Sequence, residues 1–173
     1  MSKNFIYWIL GLSGSGKTTL SKLLRDELIK RNRKVILLDG DNLRKIFDDE
    51  DVQNSYTRQS RLKLAYKYSK LCQELSVQGN DVVIATISMF DEIYKWNKKN
   101  LKGYVEVFLD VPMDILFRRD PKNLYKNFKE HKITNVVGCD ISPDIPFAPN
   151  IIIKYTNDIN LETYVNDIIE KKN

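Results

Sequence analysis

Residues Gly11-Leu12-Ser13-Gly14-Ser15-Gly16-Lys17-Thr18 fill every position of the pattern G-x-x-x-x-G-K-[ST]. The chemistry this spacing serves is anion binding. Its glycines let successive backbone N–H groups turn inward around a β-phosphate, and the helix that follows adds the positive end of its dipole. Lys17 can reach the β- and γ-phosphates, and Thr18 can offer its hydroxyl to Mg²⁺. Gly11, Ser13, Gly14, Ser15, Gly16, Lys17, Thr18 and Thr19 are therefore the expected ATP contacts, with Lys17 also catalytic.

A second cluster follows in Leu38-Asp39-Gly40-Asp41-Asn42. Phosphoryl transfer needs a carboxylate to order the Mg²⁺ shell, and often another to orient or deprotonate the attacking hydroxyl. Asp39 and Asp41 are the candidates, Asp39 being grouped with Thr18 on the metal side. The alternative for Asp41 is capping of a short helical turn starting near Leu43. Asp110 also ends an apolar run, but it precedes Val111-Pro112 and reads as structural. His131, the only histidine, receives no role. Catalysis then rests on carboxylates, lysines, arginines and a metal, with Arg44, Arg58, Arg61, Arg118 and Arg119 as possible phosphate clamps.

The elements that must hold these groups are legible as apolar runs alternating with helical patterns. Strands are expected at 5–10, 35–38, 82–85, 104–109 and 151–153. Helices are expected at 18–30, 43–47, 58–78, 91–100, 113–118 and 161–170. Strands that are continuously apolar and alternate with helices imply a parallel sheet covered on both faces, with ligands at the strands' C-terminal ends. Residues 120–148 break the rhythm. They carry Lys122, Lys126, Lys129 and Lys132, then Gly138, Pro143 and Pro146, and a long basic connection beside a phosphate site reads as a lid.

At 173 residues the chain fits one domain over residues 1–173. Its formal charge of +5 is spread among acidic residues without a long single-sign block, so a phosphate-rich small molecule suits it better than nucleic acid. Cys72 and Cys139 lack metal-ligand spacing. No signal-peptide pattern and no membrane-length apolar run is evident, and a cytoplasmic enzyme without a membrane partner is the expectation.

Several segments resemble the adenylylsulfate kinase family over nearly the whole chain. They are Gly11 to Thr19, Leu38-Asp39-Gly40-Asp41-Asn42-Leu43-Arg44, Val105 to Asp110, Arg119-Asp120-Pro121-Lys122-Asn123-Leu124-Tyr125-Lys126, and Gly138-Cys139-Asp140. The resemblance implies a three-layer α/β P-loop kinase fold with a five-stranded parallel sheet and a basic lid. It also implies transfer of the γ-phosphate of MgATP to the 3′-hydroxyl of a nucleotide, and a homodimer. Arg119 would join the ATP side. Asp41, Arg44, Gln53, Arg58, Arg61, Ile87, Ser88, Lys122, Lys126 and Val136 would meet the acceptor.

Departures from the family concentrate on the acceptor side. Where family members place two phenylalanines that enclose the adenine of adenylylsulfate, this chain has Gln53 and Val136, and neither stacks as a ring does. The family's Asp-Arg-x-x-Asn block becomes Thr57-Arg58-Gln59-Ser60-Arg61, and its Ile-Ser-Pro becomes Ile87-Ser88-Met89. The chain is similar in this respect to the branch of the family that phosphorylates a CDP-linked phosphoramidate in bacterial capsule biosynthesis. A cytidine diphosphoramidate acceptor is therefore the expectation. The alternatives are ordinary adenylylsulfate phosphorylation and, in a different class, a non-catalytic nucleotide-binding module.

Overall fold

The computed structural model describes residues 4–47 and 56–171. Five strands, β1 (Ile6–Leu10), β2 (Val35–Asp39), β3 (Asp81–Thr86), β4 (Tyr104–Asp110) and β5 (Ile151–Lys154), form one parallel sheet in the order β2-β3-β1-β4-β5. Every residue of β1 and β3 is buried, as strands covered on both faces require. The strand reading holds, with no boundary shifted by more than one residue.

Alternation along β1 divides the core. Ile6, Trp8 and Leu10 face one side, where they pack with Leu64, Ala65 and Tyr68 of α3 (Arg58–Val77) and Ile93 of α4 (Asp91–Asn100). Tyr7 and Ile9 face the other side, against Leu20, Leu24 and Leu28 of α1 (Lys17–Lys30) and Val165, Ile168 and Ile169 of α7 (Leu161–Glu170). Helix, sheet and helix make three layers with two separate cores.

Asp81, 0 % exposed at its side chain, accepts from the Phe5 N–H at 2.8 Å and pairs with Arg33 at 2.6 Å, which fixes where β1 and β3 begin. A buried carboxylate that lost this partner would be left uncompensated, at a cost of about 3–5 kcal/mol.

Residues 120–148 are more structured than the composition suggests. After α5 (Met113–Arg119), a short helix α6 (Leu124–Lys129) forms, and Val137 bridges to Ile141. Leu116, Tyr125 and Val136 build a small third core here, joined by Phe117, Phe128 and Ile133. Six residues are too few for a helical period to show in sequence; tertiary packing and the Asp120 carboxylate, which accepts from Tyr125 N at 3.1 Å and Lys126 N at 2.9 Å, hold the turn.

Among the described residues no helix is long and apolar enough to cross a membrane.

Candidate active site

β1 ends at the centre of the sheet, with neighbours on either hand, and the glycine loop leaves its C-terminal end into α1. Gly16, the residue before α1, sits at φ 101, a left-handed conformation that a side chain would strain. A Cβ at Gly11 would lie 2.7 Å from Ser15 Oγ and 3.0 Å from the Leu109 carbonyl, so the loop closes tightly on itself. Lys17 Nζ donates to the Leu12 carbonyl at 2.8 Å, holding its ammonium over the loop. Burial pushes this amine down to about 8, with Asp41 and Asp39 pulling it part of the way back.

The first helical turn after β2 belongs to α2 (Gly40–Phe47). Asp39, not Asp41, serves its N-terminus: Oδ1 accepts from Asp41 N at 3.0 Å and Asn42 N at 3.3 Å. Its other oxygen, Oδ2, accepts from Thr18 Oγ1 at 3.4 Å. Thr18 and Asp39 thus present a hydroxyl and a carboxylate at one point of the loop, an all-oxygen donor set of the kind Mg²⁺ takes beside phosphates. Asp41 is free of capping duty, and its carboxylate is ion-paired with Lys122 from the basic segment. Tyr68 supports this corner from α3 by donating to the Gly40 carbonyl at 2.9 Å.

A cleft of about 980 Å³ opens over the loop. On the β4–β5 side it is lined by Arg119, Ile153, Tyr155, Ile159 and Leu161; on the β2–β3 side by Asp41, Arg44, Tyr56, Arg61, Ile87 and Ser88. Arg119 donates to the Gly14 carbonyl at 3.1 Å and lies 5.0 Å from the Tyr155 ring centroid. Thr86 and Ser88 hydroxyls are 2.7 Å apart at the end of β3. Lys122 reaches the cleft from the basic segment, and Tyr125 ties that segment to the loop by donating to the Ser13 carbonyl at 2.9 Å.

The structure gathers Ser13 to Thr19, Asp39, Asp41, Arg44, Arg61, Ile87, Ser88, Arg119 and Lys122 around this one cleft. It places four expected contacts elsewhere. Gly11 closes the loop from behind. Arg58 turns away, pairing with Glu92 at 3.2 Å and Asp144 at 3.0 Å over the Phe90 ring. Lys126 is exposed on α6, and Val136 is 2 % exposed inside the small third core, so its side chain does not line the cleft. Gln53 lies outside the described residues.

Four aromatic residues that sequence reasoning passed over line the cleft as well. They are Tyr56, Tyr68, Phe90 and Tyr155. Tyr155 follows β5 directly, at the sheet edge where ligands collect, and that position was the available signal. Tyr56 gives no comparable periodic cue.

A parallel sheet with a phosphate loop leaving its central strand, and an acidic pair where the next-but-one strand, β2, runs into α2, defines a P-loop kinase. The chain belongs to the adenylylsulfate kinase family: the family model described as adenylylsulphate kinase matches residues 3–154. It is 42 % identical over 167 residues, 96 % of this chain and 95 % of the relative, to a cytidine diphosphoramidate kinase of Campylobacter jejuni. It is 33 % identical to an adenylyl-sulfate kinase of Pseudomonas aeruginosa, covering 86 % of this chain and 75 % of that one. Among solved structures, the adenylylsulfate (APS) kinase of Mycobacterium tuberculosis in complex with AMPPNP and APS superposes with a TM-score of 0.86 at 26 % identity, over 99 % of this chain and 98 % of that one. The protein is a phosphotransferase acting on a hydroxyl acceptor.

Proposed function

We propose that the protein transfers the γ-phosphate of MgATP to the 3′-hydroxyl of cytidine diphosphoramidate. The loop N–H groups and Lys17 hold the β- and γ-phosphates, while Arg119 and Tyr155 flank the space for the ATP base. Thr18 and Asp39 would hold Mg²⁺, which would supply positive charge to the phosphate oxygens. Asp41 orients the acceptor hydroxyl and takes its proton as the new oxygen–phosphorus bond forms and the bond from the γ-phosphorus to the β,γ-bridging oxygen breaks, ADP being the leaving group. Arg44 and Lys122 bring positive charge to the transferring group and the acceptor's own phosphates. Arg61 borders the same half of the cleft.

The observation that carries the acceptor assignment is at position 136. A valine packed beneath Leu116 and Tyr125 leaves no ring from this part of the lid for adenine to stack upon. The higher identity to the Campylobacter enzyme, over nearly the full length of both chains, supports the same reading. Side-by-side kcat/KM with cytidine diphosphoramidate and adenylylsulfate tests it. Preference for the cytidine compound is expected; preference for adenylylsulfate would return the protein to sulfate activation and leave the 3′-kinase reading intact. The homodimer implied by the family resemblance is part of this reading, and sedimentation of the full chain checks it.

A further inference from the structure

Arg61 replaces the asparagine of the family block, and its bonds are unusual for an arginine at a cleft edge. Its Nε donates to the Tyr56 carbonyl and its Nη2 to the Asn135 carbonyl, each at 2.8 Å. Its Cζ also lies 5.3 Å from the centroid of the Tyr56 ring. Arg61 therefore grips Tyr56 at both backbone and ring, and with a third contact reaches across to the lid.

Both ends of this strut are anchored. Arg61 sits in the first turn of α3, its N–H bonded to the Thr57 carbonyl at 3.0 Å, while the Thr57 side chain caps the helix by accepting from Ser60 N. On the lid side, Asn135 has φ 62, and the Asp140 carboxylate accepts from Asn135 N at 2.7 Å and Val136 N at 2.6 Å. The Asn135 carbonyl is thereby aimed by a closed turn. Burial, followed by the nearby Arg44 charge, lowers the Arg61 guanidinium to about 10.

What the strut presents is the Tyr56 ring. It is 45 % exposed, whereas Tyr68 and Phe90 in the same half of the cleft are 3 % and 2 % exposed. Arg44 Cζ lies 4.8 Å from the same centroid, and the part of the ring the two guanidiniums leave exposed is a stacking surface for any nucleobase, with a change of roughly 5- to 150-fold in affinity per base. A lysine is a poor replacement for Arg61, because an ammonium lacks the rigid planar fork whose separate nitrogens reach the two carbonyls.

We infer that Arg61 is a positioning residue for the acceptor, holding the Tyr56 ring as the platform on which the acceptor's base stacks and linking that platform to the lid at Asn135. This rests on the nucleotide-kinase reading above. It also places acceptor-base selection on residues that the family pattern does not supply.

A double-mutant cycle on the full chain tests it, using Arg61→Lys, Tyr56→Ala and the pair. Acceptor KM is measured in turnover, and binding of CDP and of adenylylsulfate is measured by calorimetry with AMPPNP filling the ATP site. Each single variant should weaken the acceptor roughly 5- to 150-fold, with kcat and the ATP KM nearly unchanged. The double variant should be no worse than Tyr56→Ala, and Tyr56→Phe should behave as wild type. Three results would overturn the inference while leaving the kinase reading standing: wild-type acceptor binding in Arg61→Lys, additive losses in the pair, or an effect confined to thermal stability. A wild-type protein that takes up neither CDP nor adenylylsulfate would overturn both.

Discussion

Lys122 of the lid and Asp41 of α2 form an ion pair across the mouth of the cleft, although they are 81 residues apart in sequence. Both side chains remain more than half exposed, at 60 % and 58 %, so the pair is a readily exchanged contact and contributes little to stability. Its position matters more than its energy. The lid touches the carboxylate proposed to receive the acceptor's proton.

Asp41→Asn should therefore lower kcat by about 10²-fold or more with little change in the ATP dissociation constant. Because Asp39 caps α2, the melting temperature should barely move. A variant that melts earlier but turns over normally would assign Asp41 to structure.

Lys17→Ala should cost about 10²-fold or more in kcat on the scale of one preorganised charge contact, in a protein that remains folded. The amine is depressed to about 8, below its ordinary 10.5, so the unfolded chain holds more protons between those values. Its contribution to stability is accordingly unfavourable below pH 8 and is relieved as pH rises through that window. Phosphates favour the charged form, and nucleotide binding near pH 8.5 should take up a proton. Calorimetry in two buffers of different ionisation enthalpy reads that proton directly; equal apparent enthalpies would refute it.

Glu106 stands in the middle of β4 with its side chain fully buried, accepting from Tyr104 Oη at 2.6 Å and lying 3.5 Å from Lys98. Burial raises its carboxyl above the ordinary 4.5, so the folded state binds the proton more tightly than the unfolded chain. Stability linked to this group is fully present below pH 4.5 and declines as pH rises through the folded value. Glu106→Gln should abolish that decline. Melting temperatures from pH 4 to pH 8 should fall less steeply for Gln than for wild type, and parallel curves would count against it.

Tyr125→Phe deletes the buried bond to the Ser13 carbonyl and should cost about 0.5–1.5 kcal/mol. Its sharper effect should be on the lid. We expect hydrogen exchange in residues 120–138 to slow when wild type binds nucleotide, and the variant to lose much of that protection. Identical protection with and without nucleotide would make the segment a static loop.

The phosphate loop and five strands were legible because each is local: a fixed spacing, or a short apolar run. What escaped depended on distant partners. α6 exists because Tyr125 is buried and Asp120 accepts from its first N–H groups, and neither fact follows from a six-residue period. That Asp39 caps α2, a role weighed in sequence only as the alternative for Asp41, turned on which carboxylate faced the helix end. Arg58 and Arg61 are three residues apart on one helix, yet Glu92 and Asp144 draw one away while two carbonyls hold the other at the cleft. Only the folded surroundings separate them.

The two cores on opposite faces of the sheet bear on how such an enzyme can change its diet over generations. α1, which follows the phosphate loop, rests on the face filled by Leu20, Leu24 and Leu28, while α3, which carries Arg61 at the edge of the cleft, rests on the other. Replacements that retarget the acceptor therefore load a different set of packed side chains from those that keep the nucleotide donor in place. A lineage can drift toward a new base on one face without eroding the machinery on the other.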